Sequence, residues 1–600
     1  MNILGIIWEH CSTAALMVDG EIVASVSEER FSRRKNDDGY PLRAIEACLA
    51  VGNLRASDLD LVAMAGERFD PKYILCHRSR FSVQDRIREQ REYWFPRMYE
   101  DRDVNYLDVF SDKLDVEQYP GKWSEVTAFL RNGANGPEAN EFFKAFRRDA
   151  VCAHLGVEPT KVVFPHHHRC HTFYSYFASP TEADRVLVLT GDAWGDDMNA
   201  SVSVAEEGRV RQLSASSNFD IARLYRSMTL LLGMKPDEHE YKIMGLAPYA
   251  KKQYIEEPLK VFRNTQYVDG LQFANRVVPP DRYLYYRQEL EGHRFDAIAG
   301  ALQQYTEDIL VEWTRNALAA SGARQVCFGG GVAMNVKAMM EVAKLAELDG
   351  LFVCPSPSDE SLAMGACYVA MYDALGDGDS PRDRLRPLQD SYLGPDLDRN
   401  DTRAALAGTS IEGAYQVHER VDPSRVARLL ADGKIVARCV SRSEFGARAL
   451  GNRSILADPR DTAVVARLNE RIKSRDFWMP FAPSVAAERA PDYLINPKQL
   501  AAPFMTVAFE TTSQAQRDLP AALHPSDHTA RPQLVTRGVN PGYHEIIAAF
   551  ERVTGVGALL NTSFNIHGEP IVQTAADAVD VLRRSDLDAL ILGDSLIEKQ

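Results

Sequence analysis

Short apolar segments that end in glycine-rich or polar turns recur along the chain, and they restrict its fold more than any other feature. They occupy residues 161–164, 185–192, 325–331 and 350–355, and a helical stretch mostly follows the turn. Strands and helices that alternate in this way are typical of α/β domains. At the N-terminus, "NILGII" precedes two alternating segments around Asp19-Gly20, a dipeptide favoured in tight hairpin turns. The sequence therefore predicts an α/β protein that begins with a strand and a hairpin.

The chain is predicted to form two domains, because 600 residues exceed what one hydrophobic core normally organises. Residues 375–401 are dense in Gly, Pro and Asp, which indicates a linker. The first domain would cover residues 1–385 and the second residues 386–600, with strands expected at "KIVARCV", "MTVAFE" and "ALLNTSF". Residues 76–150 are rich in charged and aromatic side chains and are predicted to form a largely helical insertion.

The composition is that of a globular chain and argues against several classes of partner. Lys and Arg number 69 against 84 Asp and Glu, and the net charge of -15 disfavours a large nucleic-acid surface. Apolar runs stay short of the about 18 residues that suggest a membrane span, and the first residues do not resemble a signal peptide. The nine cysteines are scattered and lack C-x-x-C spacing, which suits reduced thiols. We therefore expect a cytoplasmic protein without nucleic-acid or membrane partners.

Four of the 14 histidines fall within residues 166–171. His167 and His171 are four residues apart, so on a helix their imidazoles share one face and could bind one ion. Asp359 precedes a helix of small residues and is either a helix cap or a third ligand. Two imidazoles and one carboxylate with open positions favour Fe(II) or another divalent transition metal. The alternative is a histidine-rich helix start whose rings face solvent.

A glycine loop at residues 328–335, "FGGGVAMN", lies between a strand and an amphipathic helix. Its glycines, Gly330 and Gly331 among them, would let backbone N–H groups approach a nucleotide or phosphate at the helix N-terminus. The loop has neither a Walker A nor a GxGxxG pattern, and a tight strand-to-helix turn is the alternative. Asp192 ends another strand, where its carboxylate could hold a metal or its waters beside a nucleotide.

The loops of the C-terminal half carry cations, amides and hydroxyls. These residues are Arg448, Asn452, Arg453, Lys473, Arg475, Arg531, Asn561 and Ser563. Arginine forks and hydroxyls suit a small, highly charged phosphorylated substrate, whereas separate surface ion pairs are the alternative. Because four glycine-, proline- or asparagine-marked loops share this character, we predict a substrate pocket.

Six segments in the same order resemble blocks of the O-carbamoyltransferases related to nodulation-factor and antibiotic-tailoring enzymes. They are residues 4–35 and the segments "HHHRCH", "EYKIMGLAPYA", "GGGVAMN", "EFGARALGNRSILADPR" and "LLNTSFNIHGEPIV". The resemblance covers nearly the whole chain apart from residues 76–150. It implies an actin-like (ASKHA-type) ATPase-fold N-terminal domain, similar to that of tRNA threonylcarbamoyl-transferring enzymes, and a YrdC-like α/β C-terminal domain.

The resemblance also implies a reaction and its cofactors. Carbamoyl phosphate would be processed in the C-terminal domain, and ATP with Mg would activate the product as carbamoyl-adenylate. The carbamoyl group would then pass to a hydroxyl of a small natural product in the N-terminal domain. By motif match, carbamoyl phosphate or the adenylate would be held by Arg448, Lys473, Arg531 and Ser563. A metal, with Fe(II) implied, would be held by His167, His171 and Asp359. The nucleotide loop would include Gly330, Gly331 and Asn335.

His10 matches the family's histidine after the first strand and is the candidate base for the acceptor hydroxyl, with Arg448 and Lys473 as the other candidate catalytic residues. An imidazole with an ordinary pKa near about 6.5 suits that task. Cys11 stands where the family has an aspartate, a departure that bears on acceptor contacts. Two other activities stay open, tRNA threonylcarbamoyl transfer and phosphorylation of a sugar by an actin-like kinase. The negative net charge disfavours the first, and the second leaves the basic C-terminal loops without a role.

Overall fold

The computed structural model describes residues 1–133, 136–376, 380–408, 415–473 and 475–600. The chain divides into two compact units, and the predicted α/β fold class is confirmed by their sheets and helices. The first unit holds Met1–Glu28 and Asn36–Leu388, and the second holds Glu29–Lys35 and Gln389–Gln600. A short N-terminal segment thus belongs to the second unit, which the sequence did not indicate.

The first unit contains two five-stranded sheets and a two-stranded ribbon. Its strands are β1 (Asn2–Ile7), β2 (Thr13–Val18), β3 (Glu21–Ser27), β4 (Leu61–Met64), β5 (Val162–Val163), β6 (Arg185–Gly195), β7 (Met198–Glu206), β8 (Arg209–Ser216), β9 (Gln266–Asp269), β10 (Gln272–Asn275), β11 (Gln325–Gly329) and β12 (Gly350–Val353). The predicted hairpin joins β2 and β3, and both turn residues, Asp19 and Gly20, have positive φ.

The two large sheets share one topology. Their strand orders are β3-β2-β1-β4-β5 and β12-β11-β6-β7-β8. In each, three strands form an antiparallel meander, a fourth strand pairs in parallel with the first, and a fifth pairs in parallel with the fourth. A pattern that occurs twice in this order is the arrangement expected of an actin-like domain.

Helices lie before, between and after these strands. In chain order they are α1 (Glu29–Ser32), α2 (Leu42–Val51), α3 (Pro71–Leu75), α4 (Val83–Arg88), α5 (Phe95–Tyr99), α6 (Tyr106–Val109), α7 (Trp123–Arg131), α8 (Pro137–Leu155), α9 (His167–Phe177), α10 (Ile221–Leu231), α11 (Glu240–Leu246), α12 (Lys252–Arg263), α13 (Arg282–Glu289), α14 (Phe295–Ser321), α15 (Val336–Ala343), α16 (Leu362–Asp373) and α17 (Pro381–Arg384). Residues 76–150 are mostly helical as described, with residues 134–135 outside the description. No described helix has the length and apolar character needed to span a bilayer.

Helices α9 and α16 pack on each other, α9 against β6 and β11 and α16 against β1 and β2. Two glycines permit these close approaches. A Cβ atom at Gly5 of β1 would lie 1.9 Å from the Ala363 carbonyl oxygen, and one at Gly365 of α16 would lie 2.3 Å from that of Cys170. The first turn of α9 and the turn before α16 are therefore held beside the end of β6.

The second unit is built on one eight-stranded sheet of order β13-β20-β19-β14-β15-β18-β16-β17. Its strands are β13 (Tyr415–His418), β14 (Val436–Cys439), β15 (Arg453–Ala457), β16 (Ala482–Ala486), β17 (Gln533–Val535), β18 (Ala558–Ser563), β19 (Ala589–Leu592) and β20 (Ser595–Lys599). Its helices besides α1 are α18 (Arg399–Gly408), α19 (Pro423–Ala431), α20 (Ala463–Arg467), α21 (Ala490–Tyr493), α22 (Ser513–Asp518), α23 (Pro541–Thr554) and α24 (Ala575–Arg584). An apolar core that includes Ile455, Leu560 and Leu590 supports the sheet.

The prediction of a strand at "MTVAFE", residues 505–510, is wrong. This segment makes only an isolated bridge, between Phe509 and Ala530. Its side chains are nevertheless buried at Met505, Val507 and Ala508. An apolar run therefore reports burial, and pairing with a neighbour over several residues is needed in addition to make a strand.

Candidate active site

Helix α9 places two histidines on one buried face. The Nε2 atoms of His167 and His171 lie 3.6 Å and 3.4 Å from Oδ1 of Asp359, which stands in the turn before α16. The Nε2 atom of His171 also lies 3.0 Å from Oδ2 of Asp192, near the end of β6. All four side chains offer ligand atoms within 4.8 Å of one another. The structure thus brings together the three residues predicted to bind metal and adds Asp192 to them.

These four groups perturb each other's protonation. Burial opposes protonation of His171, but Asp192 and Asp359 outweigh it and raise the pKa of His171 to about 9. Burial and the neighbouring His171 lower the pKa of His167 to about 4. Burial and the negative charge of Asp192 raise the pKa of Asp359 to about 7. Such mutual shifts are expected where a cation would stabilise the carboxylates and keep the imidazoles neutral.

The residues fit a divalent transition metal. The Nε2 atoms of His167 and His171 and Oδ1 of Asp359 are buried, and their close contacts within the described part of the chain lack hydrogen-bond geometry. Buried polar atoms rarely stay unpaired, and one cation would satisfy all three. Imidazole nitrogen with carboxylate oxygen suits iron, manganese or zinc, and does not select among them.

Asp196 holds the start of α9 in place. Its carboxylate accepts hydrogen bonds from the backbone N–H groups of Glu67 (2.9 Å), Arg68 (2.7 Å) and His167 (2.7 Å). At the neighbouring Gly195, a Cβ atom would lie 2.2 Å from Cγ of His167, so this position requires glycine. The turn after Asp192 therefore orients a candidate ligand, His167.

The glycine loop docks on the same strand end. Gly330 has φ 83° and ψ 165°, and a Cβ atom there would lie 2.3 Å from the Gly191 carbonyl oxygen. The backbone N–H of Gly331 donates to Oδ2 of Asp192 at 3.1 Å. This approach of two backbones without side chains is a geometry that admits phosphate oxygens.

Asn335 has partners inside the protein. Its Oδ1 caps α15 by accepting from the Ala338 N–H at 3.0 Å, and its amide pairs with Gln303 in both directions at 3.0 Å. Its Nδ2 also donates to the Tyr225 hydroxyl at 3.0 Å. These contacts shape the end of the glycine loop, and nucleotide binding by Asn335 stays a prediction.

Arg223 and Trp194 flank the Asp192 turn, and the sequence analysis did not single them out. The Nε atom of Arg223, on α10, donates to the Ala193 carbonyl at 3.0 Å, and its guanidinium lies 4.7 Å from the centroid of the Trp194 ring. Burial and the charge of Arg282 lower the pKa of Arg223 to about 10, with Asp220 opposing them. Its Nη groups have no hydrogen-bond partner among the described residues. A cation on a 44% exposed tryptophan therefore contacts the segment that directly follows Asp192.

His10 follows β1 and lies among charged groups of the insertion and of residues 235–240. Burial lowers the pKa of His10, Asp237 and Asp38 oppose that effect, and Arg86 and Arg78 reinforce it. Oδ2 of Asp237 accepts from Arg86 Nη2 at 2.7 Å and from Arg78 Nη1 at 3.1 Å. The insertion, predicted only as a helical segment, thus contributes Arg78 and Arg86 to the surroundings of the candidate base.

In the second unit, Lys473 is buried against the end of β18. Its ammonium contacts the carbonyl oxygen of Ser563, lies 3.2 Å from the Ser563 hydroxyl and 2.6 Å from Oδ1 of Asn565. Burial and the charge of Arg475 lower the pKa of Lys473 well below its ordinary value. Two residues predicted from separate loops, Lys473 and Ser563, are therefore in direct contact.

Three predicted arginines act on each other electrostatically. Burial lowers the pKa of Arg531 well below its ordinary value, and the charges of Arg448 and Arg475 lower it further. Within the described chain the Arg531 guanidinium has no hydrogen bond or ion pair with another residue. Several cations that lie close together, with no carboxylate paired to Arg531, are the charge arrangement expected of a site that binds an anion.

The other polar residues predicted for this pocket are used inside the protein. All five N–H bonds of Arg453 point to backbone carbonyls, which belong to Val440, Ser441, Asn452 and Gln573. Asn452 bonds to Arg438, Arg442 and Asn540, and Asn561 bonds to Ala449, Ser484 and Gln533. These contacts fix the loops that carry Arg448 and Arg531, and substrate binding by the three residues stays a prediction.

Comparison with protein families decides the class. The profile described as "Carbamoyltransferase N-terminus" matches residues 2–368. The chain belongs to the carbamoyltransferase family. A second profile, "Carbamoyltransferase C-terminus", matches residues 427–599, so the carbamoyltransferase assignment extends over both units. The enzyme class inferred from the ordered sequence blocks is thereby confirmed.

Several relatives match this carbamoyltransferase over much of its length. Nodulation protein NolNO of Sinorhizobium fredii is 32% identical over 98% of this chain and 79% of its own length. Nodulation protein NolO of Bradyrhizobium diazoefficiens is 33% identical over 72% of this chain and 79% of its own. An uncharacterised protein of Synechocystis is 29% identical over 100% of this chain and 97% of its own.

Solved structures also align with the chain. Component A of the (R)-2-hydroxyglutaryl-CoA dehydratase of Acidaminococcus fermentans is 14% identical with a TM-score of 0.30, over 62% of this chain and 100% of that one. Full-length HypF in its phosphate- and nucleotide-bound form is 9% identical with a TM-score of 0.32, over 63% of this chain and 47% of that one.

Proposed function

We propose that this carbamoyltransferase moves a carbamoyl group from carbamoyl phosphate, through carbamoyl-adenylate, to a hydroxyl of a small-molecule acceptor in an ATP-dependent reaction. The observation that carries the proposal is the Arg531 guanidinium, which no carboxylate of the described chain neutralises. Arg448 and Arg475 add further positive potential at the same place. A site of this kind favours a ligand with several negative oxygens. Carbamoyl phosphate and the phosphates of ATP have that character.

The donor would be prepared in the second unit. Attack of water on the phosphorus of carbamoyl phosphate breaks the P–O bond and yields carbamate and phosphate. A carbamate oxygen then attacks the α-phosphorus of ATP, and pyrophosphate leaves with the electron pair of the bond that breaks. Arg448, Arg475 and Arg531 would bind the negative oxygens, and Lys473 would orient them from the end of β18. Pre-placed cations lower the barrier because they need no rearrangement as charge develops.

Transfer would take place in the first unit. The acceptor hydroxyl loses its proton to His10 while its oxygen attacks the carbamoyl carbon, and AMP leaves with the electron pair of the broken C–O bond. His10 suits this role because burial keeps its imidazole uncharged near neutral pH. The glycine loop at Gly330 and Gly331 would hold the nucleotide phosphate with Arg223. A divalent metal bound by His167, His171, Asp192 and Asp359 would supply Lewis-acid chemistry.

A panel of hydroxylated small molecules tests the proposal. The protein is incubated with carbamoyl phosphate, ATP, Mg and each candidate alcohol, and products are analysed by mass spectrometry. The proposal expects one acceptor to gain one carbamoyl group, with AMP and pyrophosphate formed in equal amounts. Formation of ADP with a phosphorylated sugar would instead indicate a kinase. Transfer of a threonylcarbamoyl group to added tRNA, lost at raised salt, would indicate a tRNA-modifying enzyme.

A further inference from the structure

The short segment Glu29–Lys35 belongs to the second unit, although the residues before and after it belong to the first. It contains helix α1, and two of its three arginines, Arg30 and Arg33, have separate partners. Arg30 is 3% exposed. Its Nη2 group donates to the carbonyl oxygens of Glu444 at 3.2 Å and Gly446 at 2.9 Å. One guanidinium from the N-terminal region therefore binds the backbone of a loop in the second unit.

That loop carries Arg448, two residues beyond Gly446. Hydrogen bonds already join the two ends of this loop, because Oε1 of Glu444 accepts from the N–H groups of Leu450 at 2.7 Å and Arg453 at 3.1 Å. Gly446 has φ 90°, in the left-handed region that glycine favours. The Glu444 contacts fix the two ends of the loop, whereas Arg30 fixes the carbonyls at Glu444 and Gly446, just before Arg448.

Stability alone does not account for the burial of Arg30. Burial lowers its pKa, with the charges of Glu29 and Glu444 opposing that effect. Its Nη1 group and Oε2 of Glu444 are both buried without a hydrogen bond in the described chain. A buried guanidinium with an unpaired donor destabilises a fold, so a positioning role explains the arrangement better than a stabilising one.

Arg33 shows that the segment is attached without Arg30. Its Nη1 and Nη2 groups donate to the carbonyls of Ile571 at 2.8 Å and Pro570 at 2.9 Å. Its Nε lies 3.7 Å from Oδ1 of Asp577. None of these partners belongs to residues 444–448, so within the described chain the two arginines contact different segments of the second unit.

We propose that Arg30 is a positioning residue of the anion site: it fixes the carbonyls of Glu444 and Gly446 and thereby sets the place of Arg448. The proposal rests on the proposed function in one respect, since it takes Arg448 as a ligand of carbamoyl phosphate. Lysine at this position would keep the charge but lose the planar fork that spans two carbonyls. Binding of carbamoyl phosphate by Arg448 would thus depend on Arg30, which is far from Arg448 in sequence.

Kinetic comparison of Arg30→Ala, Arg30→Lys and the matched control Arg33→Ala tests the proposal. We expect Arg30→Ala to raise KM for carbamoyl phosphate by about tenfold to a hundredfold, as misplaced binding groups do. Arg30→Lys should give a smaller rise, and KM for ATP should change less than twofold in both. Arg33→Ala should lower the melting temperature by about as much as Arg30→Ala does, and it should leave KM for carbamoyl phosphate unchanged.

Equal KM values for Arg30→Ala and the unaltered protein would overturn the proposal, as would an equal rise in Arg33→Ala. If Arg30→Ala does not fold, Arg30→Lys carries the comparison. Calorimetric binding of inorganic phosphate gives a readout without turnover, and its Kd should rise in the Arg30 variants only. Consumption of carbamoyl phosphate by the unaltered protein is scored separately, so failure of the proposed function and failure of this inference remain distinguishable.

Discussion

The Nε2 atom of His171 lies 3.0 Å from Oδ2 of Asp192, and the same carboxylate oxygen accepts the Gly331 N–H at 3.1 Å. One carboxylate therefore contacts the histidine pair on one side and the glycine loop on the other. An ion bound by the histidines and a nucleotide bound by the loop would share Asp192. Through this carboxylate, binding of a metal and binding of a nucleotide in the first unit would be linked.

Loss of His171 should abolish metal binding. We expect His171→Ala to reduce the stoichiometry of bound divalent metal, measured by inductively coupled plasma mass spectrometry, by more than about tenfold. The matched control is His166→Ala, because His166 stands beside the start of α9 and contacts the Asp196 backbone carbonyl at 3.2 Å instead of the cluster. Equal metal content in both variants would contradict a site at His171.

Replacement of Gly330 should destabilise the first unit. Its φ of 83° and ψ of 165° lie in a region that is essentially restricted to glycine, so Gly330→Ala should cost about 1–3 kcal/mol, before the clash with Gly191 is counted. At Gly331, by contrast, the nearest atoms to a Cβ lie at 3.4 Å, an ordinary contact. Denaturant unfolding should therefore separate Gly330→Ala from Gly331→Ala, and equal midpoints would show that the loop is not held as described.

The rate of transfer should depend on pH through His10. The base acts when uncharged, and burial lowers the pKa of His10 below its ordinary value. We therefore expect kcat/KM for the acceptor to be constant near neutral pH and to fall on acidification, with a midpoint below about 6.5. His10→Asn should remove this acid limb together with most of the rate. An unchanged profile in His10→Asn would assign the limb to another group.

Removal of the Arg531 charge should weaken binding of the donor. A charge-assisted hydrogen bond contributes about 1.5–3 kcal/mol, so Arg531→Ala should raise KM for carbamoyl phosphate by about tenfold to a hundredfold. Arg517→Ala is the control, because Arg517 is an exposed arginine of α22. Steady-state kinetics with carbamoyl phosphate as the varied substrate would measure both, and a shift of equal size in the control would point to net charge instead of a site.

The sequence predicted the residues that lie on one element better than those that meet from several. The spacing of His167 and His171 indicated a shared helical face, and the structure places both imidazoles beside Asp359. Asp192 was predicted to hold a metal or its waters beside a nucleotide, but it was not grouped with the two histidines, because no local pattern shows that the end of β6 reaches α9. That contact depends on the packing of two helices and two strands, which a single sequence does not encode in its spacing.

The roles of individual polar residues were harder to predict than their neighbourhood. Arg453 and Arg531 look alike in sequence, since each is a basic residue in a polar loop. In the structure every side-chain N–H of Arg453 donates to a carbonyl. The charges that act on Arg531 within the described chain are those of other arginines. Whether an arginine stabilises a loop or is available to bind a ligand depends on the backbone carbonyls that surround it. Arg30 was missed because its partners lie in residues 444–446, distant in sequence.

Exchange of labelled pyrophosphate into ATP tests the central claim most directly, because it needs no knowledge of the acceptor. The protein is incubated with ATP, carbamoyl phosphate and labelled pyrophosphate, and the label in ATP is followed with time. If carbamoyl-adenylate forms, label enters ATP only when carbamoyl phosphate is present, and Arg531→Ala slows the exchange. Absence of exchange, with ADP and phosphate as the products of ATP, would contradict the account.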